Sequence, residues 1–213
     1  MTIYKEKLMG HIKSNVTIYL FMTSLLVTGV VFGAIIVNSM SFIQKQDLFF
    51  HMNQFFTKIV EQEAVLSKDM LQKSFIFHLQ YLSIMLLLGL TIIGLPILWL
   101  LIFLKGLAIG FSVGFIVNQL GWKGFILATL SILPHNMMMI PIYIAVASLA
   151  SLFSLLLFYK ITAKKVTIPI GRPFVNYILA VSLLILCSFL GSLIETFIAY
   201  EAVKIAVDSL LSN

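Results

Sequence analysis

Charge is what this sequence has least of. Only 10% of its 213 residues are charged, and all eight carboxylates fall outside the long apolar stretches. A soluble domain carries about 25% charged and about 45–50% apolar residues. Here 61% are hydrophobic and the mean hydropathy is +1.08. That balance excludes a water-soluble globular protein, a disordered chain and a nucleic-acid binder. Cysteine is almost missing too: Cys187 stands alone inside an apolar segment, so no internal disulfide can form. The net charge of +6 would suit anionic partners, yet the 14 basic residues form no run longer than Lys164-Lys165. What the chain does have is long hydrophobic runs, and these describe an integral membrane protein.

A spanning helix needs about 20 apolar residues. Stretches without Asp, Glu, Lys or Arg run over 14–44, 74–104, 106–122, 124–159 and 173–194. The first follows Lys5, Lys7 and Lys13, as a secretion signal would. A signal's apolar region is only about 7–15 residues long, whereas 16–37 holds 22, so it reads as an uncleaved anchor. The stretch 74–104 would be about 46 Å as one helix, against a hydrocarbon core of about 30 Å. A turn at Gly94-Leu95-Pro96 divides it into spans 74–93 and 97–119, since proline cannot continue a helix and glycine permits the bend. Lys105 then lies inside the third helix, where a charge costs about 3 kcal/mol unless it snorkels or pairs. The other reading makes Lys105 a cytoplasmic end marker. The stretch 124–159 is interrupted by Leu133-Pro134-His135-Asn136 and Pro141. It reads as a short or re-entrant helix over 124–133 and a fourth span over 137–159, with the fifth over 173–194.

Lysine and arginine placement sets the orientation. With the N-terminus inside, Lys5, Lys7, Lys13, Lys105, Lys160, Lys164, Lys165 and Arg172 are cytoplasmic, opposed only by Glu6, a balance of +7. Six lysines against seven acidic residues leave −1 outside. The fold class expected is therefore all-α and polytopic: one membrane domain over 1–213, five spans, N-in and C-out. Segment 1–15 is the cytoplasmic N-terminus, 45–73 an extracytoplasmic loop, 160–172 a basic cytoplasmic loop and 195–213 an extracytoplasmic tail. In the loop, Leu48, Met52, Phe55, Phe56 and Ile59 fall on one helical face. The loop thus reads as an amphipathic helix in the membrane interface or as a docking surface, with Phe55, Phe56 and Ile59 as the partner-binding candidates.

Gly29 and Gly33 in the first span, and Gly106, Gly110 and Gly114 in the third, recur every four residues. Small residues at that spacing let helix backbones approach closely, within the chain or between copies in a homo-oligomer. Chemistry finds little footing. His11, His51, His78 and His135 make no metal-ligand spacing, and no HExxH, CxxC or phosphate-cradling glycine loop occurs. Gly110-Phe111-Ser112-Val113-Gly114 fits the letters of a hydrolase elbow but sits mid-helix with no acidic partner. No catalytic, cofactor or metal residue is assigned, and an enzyme is not expected. Gly94, Pro96, Lys105, Pro134, His135, Asn136 and Pro141 are assigned to the helix breaks.

Phe32-Gly33-Ala34-Ile35-Ile36-Val37-Asn38-Ser39 is similar to the first-span signature of the stage II sporulation protein M family. Gly94-Leu95-Pro96 through Phe103-Leu104-Lys105-Gly106, on to Val117-Asn118-Gln119-Leu120-Gly121-Trp122-Lys123-Gly124-Phe125, is similar as well. Leu133-Pro134-His135-Asn136 to Pro141 matches that family's broken-helix motif, with Asn136 and Met139 where wider relatives carry Gly and Glu. The resemblance implies a non-enzymatic engulfment factor, multi-pass in the mother-cell membrane at the sporulation septum. It would recruit and stabilise two peptidoglycan-degrading partners, stage II sporulation proteins D and P. The alternative from another class is a permease or channel-like subunit, with Lys105, Asn118 and Asn136 lining a path.

Overall fold

The computed structural model describes residue 10 and residues 13–61, 66–162 and 170–211, and every element among them is helical. They are α1 (Val16–Ser39), α2 (Phe42–Glu61), α3 (Leu66–Gly89), α4 (Gly94–Thr162) and α5 (Gly171–Leu211). Four helical segments are long and apolar enough to cross a membrane: Val16–Ser39, Gly94–Ile126, Asn136–Thr162 and Gly171–Leu193. Their outer faces are apolar. Leu20, Val27, Val31, Phe32 and Ile35 of α1 and Leu179, Leu183 and Leu186 of α5 are each more than half exposed. A continuous exposed apolar surface of this kind calls for lipid rather than water.

Local chemistry explains the joints. Ser41 and Gln44 form a reciprocal cap at the start of α2: Gln44 Oε1 accepts from the Ser41 N–H at 3.0 Å, and Ser41 Oγ accepts from the Gln44 N–H at 3.3 Å. Between α3 and α4 the turn falls at 90–93, not at the expected Gly94-Leu95-Pro96. Thr91 Oγ1 accepts from the Gly94 N–H at 3.1 Å and donates to the Leu88 carbonyl at 3.0 Å. Gly94 opens α4 and Pro96 follows within its first turn. The first four N–H groups of a helix have no intrahelical partner, so Pro96 sacrifices no bond there. From outside the turn, Ser154 Oγ donates to the Thr91 carbonyl at 2.8 Å and the Tyr177 hydroxyl to the Leu86 carbonyl at 2.9 Å.

The second expected break is also displaced. Backbone angles stay helical through Pro134 and Pro141, so 124–133 is not a separate re-entrant helix. α4 departs from helical geometry only at Gly121, with φ 57° and ψ −131°. That left-handed φ suits glycine, and the chain reverses there. Each proline withdraws one N–H, but tertiary packing holds the helix: Met139, Tyr143, Val146, Ala147 and Ala150 form a fully buried stripe. Asn136 Nδ2 also donates to the Ile132 carbonyl at 2.8 Å, one turn back.

α4 therefore has two antiparallel arms, 94–120 and 122–162, and stands at the centre of the bundle, touching α1, α3 and α5. The core gathers Met22 and Leu26 of α1, Leu82 and Met85 of α3, Leu98 and Ile102 of the first arm, Tyr143 and Val146 of the second, and Tyr177 and Val181 of α5. Helix α5 runs unbroken from Gly171 to Leu211, so the expected tail at 195–213 begins as a continuation of the helix. Helix α2 contacts α5.

Candidate functional site

The first arm of α4 presents two dissimilar faces. At 100° per residue, Gly106, Gly110 and Gly114 fall on one side, and Lys105, Ile109 and Ser112 on the other.

The glycine side seals against α1. A methyl group built on Gly106 would meet the Leu26 carbonyl oxygen, and one on Gly110 the Val30 carbonyl oxygen. From the opposite helix, a methyl on Gly29 would meet the Phe103 oxygen and one on Gly33 the Leu107 oxygen. At Gly114 the nearest atom is Ala34 Cα, 3.2 Å away. The five glycines thus serve an intrachain crossing, backbone against backbone, with contact numbers rising together along both helices. Consequently α1 and the first arm of α4 run parallel.

The other side opens into a cleft of about 350 Å³ lined by Ser74, Phe77 and His78 of α3 and by Lys105, Ala108, Ile109, Ser112, Ile132 and Asn136 of α4. Lys105 stands eleven residues into α4, about 16 Å along its axis. Lys105 thus lies within the helix and not at its start. Its Nζ lies 4.7 Å from the ring centre of Tyr143, 5.3 Å from Phe77 and 5.6 Å from Tyr81. A cation–π contact contributes about 0.5–2 kcal/mol, so three are of the same order as the roughly 3 kcal/mol cost of placing a lysine in the membrane.

The rings are fixed in turn. The Tyr143 hydroxyl and His78 Nδ1 share a hydrogen bond of 2.5 Å, and both residues are buried. The Tyr81 hydroxyl donates to the Leu101 carbonyl at 2.6 Å, and its ring meets Tyr143 edge-on at 5.4 Å. The sequence holds no Asp or Glu between Asp69 and Glu195. The cleft lining combines one ammonium with hydroxyl, amide and imidazole groups.

Among the residues singled out from sequence, Lys105 and Asn136 meet at this cleft, while Asn118 is exposed and is not part of its lining. Gly94 and Pro96 belong to the α3–α4 joint. Pro134, His135 and Pro141 lie on the second arm of α4, the side chains of Pro134 and His135 being outside the described residues. Phe55, Phe56 and Ile59 fall on α2, and their side chains likewise lie outside what is described. Sequence reasoning passed over Ser74, Phe77, Tyr81 and Tyr143, and weighed His78 and Ser112 only as metal-ligand and hydrolase-elbow candidates. A signal existed: Ser74 with His78, and Phe77 with Tyr81, are each four apart on α3, so both pairs share a helix face.

No curated protein and no solved structure matches the chain. The family model for stage II sporulation protein M matches residues 22–200, which takes in most of α1, all of α2 to α4 and most of α5. The apolar helices suit a membrane setting. The matched region spans the glycine crossing, the α3–α4 joint and the cleft alike, and the chain belongs to the stage II sporulation protein M family.

Proposed function

We propose that the protein is a non-enzymatic, multi-pass scaffold of the engulfment machinery. It anchors, recruits and stabilises the peptidoglycan-degrading stage II sporulation proteins D and P at the septum, in the mother-cell membrane. Family membership supports the sporulation role and the membrane setting. The observation that carries the finer reading is helix direction. Consecutive spans must alternate in sense, and α1 and the first arm of α4 pack in parallel. One crossing must separate them, and α3 is the helix available. Counting α3 gives five crossings and puts the chain ends on opposite sides. The basic residues Lys160 and Arg172 then lie on the cytoplasmic side. On that count α2 and the distal part of α5 share the extracytoplasmic side, and the contact of α2 with α5 supports a joint platform where wall enzymes work.

A second reading, a permease or channel-like subunit, is favoured by the meeting of Lys105 and Asn136 in one cleft. Affinity capture of the tagged full-length protein from sporulating cells separates the two. The scaffold reading expects proteins D and P to co-purify and reconstituted vesicles to stay sealed. Solute flux without co-purification would overturn it.

A further inference from the structure

At the Gly121 end of the bundle, large apolar side chains point away from the core. Phe42 is 79% exposed, Ile43 78% and Trp122 76%, with Phe50 and Phe125 exposed beside them. They belong to two elements, α2 and the start of the second arm of α4, and the glycine crossing fixes their relative height. Gly29 meets Phe103 and Gly110 meets Val30, so facing residues of α1 and the first arm differ in number by 74 to 80. Carried to the end of α1, that register sets Ser39 level with residues 113–119. The α1–α2 joint and the Gly121 reversal therefore lie within about 12 Å of each other along the axis. The first arm, 94–120, is about 40 Å long, and a bilayer with its headgroups is about 40–45 Å thick. Both ends of the arm thus fall at headgroup level.

The faces of α2 decide how it sits there. Met40 leaves α1 in an extended conformation and the Ser41–Gln44 cap opens α2 at once, so α2 starts where α1 ends. Lys45, Leu48, Phe49 and Met52 are half-buried and share one face. Phe42, Ile43 and Phe50 form the adjacent face, which is uncovered, and beyond it lies a polar edge where His51 and Asp47 approach to 3.8 Å. The uncovered apolar face is therefore not the Leu48–Met52 face that the periodicity of the loop singles out. It follows directly on the lipid-facing Ile35 and Ile36 of α1 and continues that surface. On the second arm, Trp122 stacks on Phe125 at 5.4 Å, and Lys123 is exposed next to it. Indole has an apolar body and a polar N–H, and tryptophan is enriched at membrane–water interfaces for that reason.

We propose that Phe42, Ile43 and Phe50 of α2, together with the Trp122–Phe125 pair, form one seat in the headgroup–acyl boundary of the leaflet at the Gly121 end. The seat lays α2 along the bilayer with Asp47 and His51 toward water, and it does not depend on the scaffold reading. The chain has two tryptophans, so Trp99→Phe leaves Trp122 as the sole fluorophore. The full-length variant is reconstituted into phosphatidylcholine vesicles brominated high or low on the acyl chains, with acrylamide supplied on both sides as the aqueous quencher. Trp122 emission is lost mainly to the shallow bromines, at a depth within about 10 Å of the headgroup boundary, and little to acrylamide. Two further reporters, Phe50→Trp and His51→Trp, are each made in a chain carrying Trp99→Phe and Trp122→Phe. The first loses its emission to the lipid bromines and the second to acrylamide, although the two positions are neighbours. These vesicles hold no partner protein, so a face reserved for one would be open to water. Acrylamide quenching without bromine quenching, at Trp122 or in the Phe50→Trp reporter, would overturn the proposal, as would equal quenching of the two reporters.

Discussion

The two faces of the first arm of α4 make opposite use of neighbouring residues. Gly106 and Lys105 are adjacent in sequence, yet one meets the Leu26 backbone with no room for a methyl group and the other opens onto a cleft of about 350 Å³. The sealed face is held by close backbone approach, which in a membrane is a principal source of helix association because lipid removes the hydrophobic incentive. The open face carries a charge that lipid disfavours, and three aromatic rings lie against it. One side of a membrane helix can therefore be sealed while the other stays open to a cleft.

Substitutions on the two faces should separate accordingly. The largest effect is expected for Gly110→Leu, because the new side chain meets the Val30 backbone, which cannot swing aside. Overpacking ordinarily costs about 1–3 kcal/mol, and this variant should lie at or above the top of that range when unfolding is titrated in mixed detergent micelles. Next comes Tyr143→Phe, which removes the hydroxyl partner of buried His78; a loss of about 1–3 kcal/mol is expected in the same titration. Lys105→Met should change stability by only about 1 kcal/mol in either direction, since relief of the insertion cost offsets three lost cation–π contacts. A severe loss of fold in Lys105→Met would make the lysine a structural pin and erase the contrast between the faces. Gly171→Ala, with nothing within 4 Å of the added methyl, should stay within about 0.5 kcal/mol, calibrating the scale against Gly110→Leu.

Much of this was legible in the sequence where the signal is one-dimensional. Apolar length located α1, both arms of α4 and the apolar part of α5, and four-residue spacing located the glycines. Where the signal depends on partners, the sequence misled. Pro134 and Pro141 read as a break, but buried packing at Met139 and Tyr143 keeps the helix continuous. The real reversal needs only Gly121 in a left-handed conformation, which one glycine among twelve does not announce. Pro96 marked the right joint but the wrong residues, because a proline in a first helical turn does not end a helix. Lys105 was visible as an anomaly, yet its ring partners come from residues 28, 24 and 38 positions away along the chain, beyond the reach of any local pattern.

The central claim is that the protein recruits the wall-degrading partners through its extracytoplasmic side, where α2 carries Phe55 and Phe56. The most direct measurement is septal localisation of stage II sporulation proteins D and P in cells whose only copy carries Phe55→Ala with Phe56→Ala, at matched membrane abundance. Aromatic anchors commonly dominate interface energetics, so the account predicts dispersed partner proteins and stalled engulfment, with membrane insertion intact. Normal septal localisation of both partners in that strain, and again after deletion of 45–61, would contradict it.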